Sequence, residues 1–143
     1  MKSGADVNQR GMMKYTPLMA AAYAGHLQVA RYLVSKGADV NATYANSWPE
    51  DRGTALMLAA SQGHTEIVRL LLDAKAKVNA VGVEGATALI WSARDGHRDI
   101  VSMLLAAGAD AKHRDQNGWT AKDHAKENGH PEIVELLSGV LLR

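Results

Sequence analysis

The chain has 143 residues, a formal net charge of +1 and no cysteine, a size that allows one domain with a sizeable apolar core. Its 16 basic and 15 acidic side chains are scattered along the sequence, which argues against an electrostatic grip on nucleic acid or anionic lipid. The missing thiols exclude disulfides, thiolate metal sites and a cysteine nucleophile.

In chain order, MKSGADVN (1–8) has no apolar core of a secretory leader, and nowhere does an apolar run reach the ~18 residues of a membrane span. A cytoplasmic location is the expectation, with no membrane contact. The same stretch reads as the end of a helix followed by an outward turn, so the chain is expected to begin within a structural unit. Thr16 is placed to cap a helix and Pro17 suits its first position, where a missing N–H costs nothing. LMAAAYA follows, with small alanines for close packing, and Gly25 supplies a left-handed helix end. LQVARYLVSK predicts a second helix with Val29, Ala30, Leu33 and Val34 on one face, ended by Gly37. ADVN then extends outward into a finger.

This plan recurs. TPLM (16–19), TALM (54–57), TALI (87–90) and TAKD (120–123) start 38, 33 and 33 residues apart, and a Gly-His pair follows each threonine after nine residues. GADVN at 4–8 and 37–41 decays to KAKVN (75–79) and GADAK (108–112). Each unit is helix, turn, helix and finger, and none can bury its apolar face alone. The prediction is an all-α solenoid of stacked units.

The motifs T-[PA]-L, A-A-x-x-G-H, I-V-x-x-L-L and G-A-D-V-N, repeated in register over about residues 4–138, resemble the ankyrin-repeat family. On that reading, residues 1–10 are the tail of a preceding partial repeat. Four repeats follow at 11–43, 49–81, 82–114 and 115–143, with a finger insertion at 44–48 and hairpin-like finger loops. Lys122 stands where Leu18, Leu56 and Leu89 stand in other units, so the last repeat reads as a C-terminal cap and the fold is expected to end there. Met19, Met57, Ile90 and Asp123 replace the histidine of the family's T-P-L-H. Lys75 replaces a helix-ending glycine, which implies a left-handed residue costing about 1 kcal/mol or a different turn.

Signatures of catalysis are absent: there is no G-x-S-x-G, phosphate-binding Gly loop or H-E-x-x-H. His26, His64, His97 and His130 hold one position per unit, about 10 Å apart by helix packing, too far to share a zinc ion. His113 and His124 read as isolated surface residues. Asp95 and Asp99 flank a turn with no base, nucleophile or pocket to make them a dyad. The expectation is a chain that is not an enzyme and carries no cofactor or metal.

The family resemblance implies a protein partner on the concave surface of finger tips and first helices. Mapped by phase, the candidate contacts are Tyr15, Tyr23, Tyr44, Trp48, Glu50, Arg52, Gln62, Glu84, Trp91, Arg94, Asp95 and Trp119. The aromatics there are types enriched at binding hot spots, and helix 2 is already filled with aliphatics. Tyr44 and Trp48 make the insertion 44–48 the first choice for a partner-specific contact. The reading is a monomeric protein-interaction module. Its rivals are an architectural segment of a larger protein and a ligand- or nucleic-acid-binding ankyrin module. The resemblance also implies that the finger asparagines Asn41 and Asn79 are candidates for asparaginyl hydroxylation, beside a simpler role in the turn.

Overall fold

The computed structural model describes residues 6–11, 14–45 and 52–141. Among these, eight α-helices stack in pairs: α1 (Pro17–Ala24) with α2 (Leu27–Ser35), α3 (Ala55–Gln62) with α4 (Thr65–Asp73), α5 (Ala88–Arg94) with α6 (Arg98–Ala106), and α7 (Ala121–Glu127) with α8 (Pro131–Leu141). First helices pack on first helices and second on second along the stack. A short antiparallel hairpin, β1 (Thr43–Ala45) with β2 (Arg52–Thr54), joins the first two pairs, and a 3-10 turn at Val83–Gly85 shapes the next finger. This is an all-α repeat solenoid with small hairpin loops. Among the described residues, no helix is long and apolar enough to cross a membrane.

The helix starts follow the threonines. Thr16, Thr54, Thr87 and Thr120 each accept a hydrogen bond from the backbone N–H three residues on, and all but Thr120 are buried. The side chains that replace the family's T-P-L-H histidine divide by chemistry. Asp123 completes a reciprocal cap by accepting from Thr120 N and Oγ1, and Met19 offers its sulfur to Thr16 N at 3.4 Å. Burial would raise the Asp123 carboxyl, but the hydrogen bond from Thr120 N outweighs it and holds the group below its ordinary value.

Leu18, Leu56 and Leu89 form one buried layer, and Leu71, Leu104 and Leu137 form another between second helices. Val29, equivalent to the buried Ile67, is 50% exposed because no helix pair precedes α1 and α2 among the described residues. Lys75 takes the left-handed alternative, at φ 70°.

The repeated histidines form a ladder. His64, His97 and His130 donate from Nε2 to the carbonyls of Tyr23, Ser61 and Arg94, each at 3.0 Å, and so bridge successive units. The finger asparagines build a second ladder: Asn8, Asn41 and Asn79 accept at Oδ1 from the backbone N–H of Asp39, Lys77 and Asp110, each at 2.8 Å. Asn41 and Asn79 also donate their amide to the carbonyls of Lys75 and Gly108.

Candidate functional site

The candidate surface lies where the fingers face the first helices. Tyr44 enters from β1, opposite Gly53 on β2. A Cβ on Gly53 would stand 2.5 Å from the Tyr44 ring, so the glycine is the seat of that ring rather than only the return of a turn. Tyr44 also meets Tyr15 at a centroid distance of 4.8 Å, tilted by 51°. Burial and the neighbouring Tyr23 push the Tyr15 hydroxyl above its ordinary value, opposed by a hydrogen bond with Tyr44.

Beside this pair opens a hollow of about 250 Å³. It is lined by Tyr44 and Val83 from two fingers, Met57, Ser61 and Gln62 from α3, Trp91 and Arg94 from α5, and Asp95 just past the end of α5. The Arg94 guanidinium carbon lies 4.6 Å from the Trp91 ring centroid, and Arg94 Nε stands 3.5 Å from Asp95 Oδ1. Both contacts are partly exposed, and such contacts contribute about 1 kcal/mol or less each. They orient the side chains more than they hold the fold. Two of the three histidine bonds end here, on the carbonyls of Ser61 and Arg94, so the ladder fixes the very turns that present the hollow.

A second open hollow, of about 500 Å³, lies over the fourth finger and α7, lined by Asn117, Gly118, Trp119, Asp123, Lys126 and Glu127. Trp119 is 37% exposed, with its ring centroid 5.1 Å from that of His124. His124 is not an isolated surface residue: its Nε2 meets Asp115 Oδ2 at 2.6 Å, and its side chain is 15% exposed. His113 likewise turns inward, with Nε2 2.8 Å from the Gly85 carbonyl.

Among the twelve residues expected from sequence, Tyr44, Gln62, Trp91, Arg94 and Asp95 converge on the first hollow. Tyr15 packs under Tyr44, Tyr23 is 50% exposed on α1, Glu84 is exposed on the 83–85 turn, and Trp119 lines the separate hollow. Arg52 opens β2, while Trp48 and Glu50 lie outside the described residues. Ser61 and Val83, which repeat phase also places on the finger and first-helix surface, complete the lining together with Met57. Met57 lies one helical turn before Ser61 on α3, and that spacing is the signal that could have placed it on the same face. Among the described residues no group of His, Asp and Glu is arranged to hold a metal ion.

The family pattern described as ankyrin repeats (3 copies) matches residues 43–115 and again 80–140, and the single ankyrin-repeat pattern matches 13–44. The chain belongs to the ankyrin-repeat family. Ankyrin repeats act generally as protein-interaction modules, and the family is in general non-enzymatic. Among curated proteins, the chain is 57% identical over 37 residues to alpha-latrocrustotoxin-Lt1a of Latrodectus tredecimguttatus, covering 26% of this chain and 3% of the toxin. It is 61% identical over 36 residues to ankyrin repeat domain-containing protein 49 of Bos taurus, covering 25% of this chain and 15% of that protein. It is 49% identical over 43 residues to protein phosphatase 1 regulatory subunit 27 of Homo sapiens, covering 30% of this chain and 28% of that subunit. The matches of this ankyrin chain thus span less than a third of each of these relatives.

Proposed function

We propose that this chain is a non-enzymatic binding module that takes a protein partner along the groove between its fingers and first helices. The central contact is the hollow walled by Tyr44 and Trp91. The observation that carries the reading is the convergence of two fingers and two first helices on that one hollow, with aromatic walls, the Met57 side chain and a polar rim of Gln62 and Asp95. A partner side chain inserted there loses water against apolar surface while its polar end meets the rim, the anatomy of a binding hot spot. Resemblance to a protein named as a phosphatase regulatory subunit supports a protein as the partner class. Tyr44, the first residue of the insertion 44–48, lines the same groove, and the insertion supplies the partner-specific contact. Replacing Trp48, Trp91 and Trp119 by alanine is expected to weaken binding of a captured partner while far-UV circular dichroism stays unchanged. Undiminished binding after all three changes overturns the assignment.

A further inference from the structure

The fourth finger carries a side-chain device where the first and third fingers have glycine. Its loop closes through Asp115 N–H to the Trp119 carbonyl and Gly118 N–H to the Asp115 carbonyl, both at 2.9 Å. The first and third fingers close the same loop with glycine at that position: Gly11 N–H reaches Tyr15 O at 3.0 Å, and Gly82 N–H reaches Ala86 O at 2.9 Å. The backbone therefore needs no carboxylate there.

Asp115 is nonetheless buried, and all of its oxygen capacity is directed inward. Oδ1 accepts from Asn117 N at 2.9 Å and Trp119 N at 3.0 Å, and Oδ2 faces His124 Nε2 at 2.6 Å. His124 in turn stands four residues after its capping threonine, where α1 has Ala20 and α5 has Trp91. One imidazole thus touches both the carboxylate that ties the loop and the indole that the loop presents.

We propose that Asp115 and His124 form a proton-sensitive clamp on the fourth finger, which holds Trp119 more firmly when His124 is protonated. Neutral His124 donates from Nε2 to the carboxylate, a bond assisted by the anion's charge alone. Protonated, it becomes an ion pair with charge on both partners, and the ring also offers a cation to the Trp119 indole. Both contacts strengthen in the same direction. The other charged or titratable groups of the finger are Asp110, Lys112, His113 and Arg114, the adjoining 83–85 turn carries Glu84, and those of α7 are Lys122, Asp123, Lys126 and Glu127. From the elements packed against α7 come Arg94 on α5 and Asp95 just past its end, already paired with each other, and Glu132 and Glu135 on α8, with His130 ahead of it. Of these only His113 and His130 are histidines, and both donate to backbone carbonyls rather than to an acid.

The consequence for recognition rests on Trp119 belonging to the partner surface, but the clamp itself is testable without any partner. In a Trp48→Phe/Trp91→Phe background, Trp119 is the sole indole, and acrylamide quenching of its emission reports its exposure. The quenching constant is expected to fall by about 1.5-fold between about pH 8 and about pH 5.5, the range in which histidine titrates. His124→Gln is expected to abolish that change and Asp115→Asn to reduce it, while His113→Gln and His130→Gln leave it intact, with folding checked by circular dichroism. An unchanged response in His124→Gln, or no response in the parent, overturns the clamp and leaves the partner-binding reading standing.

Discussion

His97 donates from Nε2 to the Ser61 carbonyl at 3.0 Å while its ring closes over Gly63, where an added Cβ would stand 2.7 Å from the imidazole Cε1. Gly25, Gly63 and Gly96 therefore each serve two ends: they take a positive φ, +80° at Gly63, and leave room for the histidine of the next unit. Gly37, at φ +86°, has open space around its missing side chain. Gly63→Ala is expected to cost about 2–4 kcal/mol and Gly37→Ala only about 1 kcal/mol, the left-handed penalty alone. Urea unfolding of the two variants checks the difference, and equal losses contradict it.

Gly53→Ala is expected to displace the Tyr44 ring and break its contact with Tyr15. The near-UV circular dichroism of the tyrosines should change, with a stability loss of about 1 kcal/mol because the hairpin is small and peripheral. An unaltered near-UV spectrum contradicts the seating of Tyr44 on Gly53.

Trp91 and Arg94 offer a double-mutant cycle. With the guanidinium carbon 4.6 Å from the ring centroid and the pair partly exposed, their coupling in unfolding free energy is expected at about 0.5–1 kcal/mol. Strict additivity of Trp91→Ala and Arg94→Ala contradicts a contact that persists in solution.

Acid should loosen the fourth finger through Asp115. Burial by itself would raise this carboxyl, but hydrogen bonds from His124, Trp119 N and Asn117 N, with the charge of His124, hold it below its ordinary value. A carboxyl depressed in the folded state adds stability that is complete above its unfolded value and is lost as pH falls through the folded one. The contribution is therefore present at neutral pH, begins to fade near the ordinary carboxylate value of about pH 4, and is lost as pH falls further. Asp115→Asn should flatten the stability profile on that acidic side, as read by urea midpoints. An identical acid limb in the variant contradicts this role.

The fold was legible because its signals are local and repeated: a capping threonine, a glycine helix end and aliphatic residues at helical spacing recur in phase. That His64, His97 and His130 are structural rather than metal ligands was legible for the same reason, since one equivalent position per unit sets them too far apart to share an ion, whereas their bonds to the carbonyls of the preceding unit were not legible. The hollow was legible in part. Trp91, Arg94 and Asp95 follow from helix phase, whereas the seating of Tyr44 depends on hairpin register, which pairs it with Gly53 across an insertion. The Asp115–His124 pair was not legible. It joins an irregular loop to a helix nine residues on, and the carboxylate occupies a position that is glycine in two sister loops. No periodicity marks such a contact, so His124 read as a lone surface residue.

The central claim is that the groove between fingers and first helices binds a protein partner. Its most direct test is quantitative affinity capture followed by binding titration of the recovered protein, comparing substitutions on two faces. Trp91→Ala with Gln62→Ala alters the groove. Glu66→Ala with Arg69→Ala alters an exposed pair on α4, where the side chains stand 3.8 Å apart on the opposite helix row. The account predicts that the groove pair weakens binding by at least about tenfold, or 1.4 kcal/mol, while the α4 pair leaves it unchanged. Loss of binding from the α4 pair with the groove pair unaffected contradicts it.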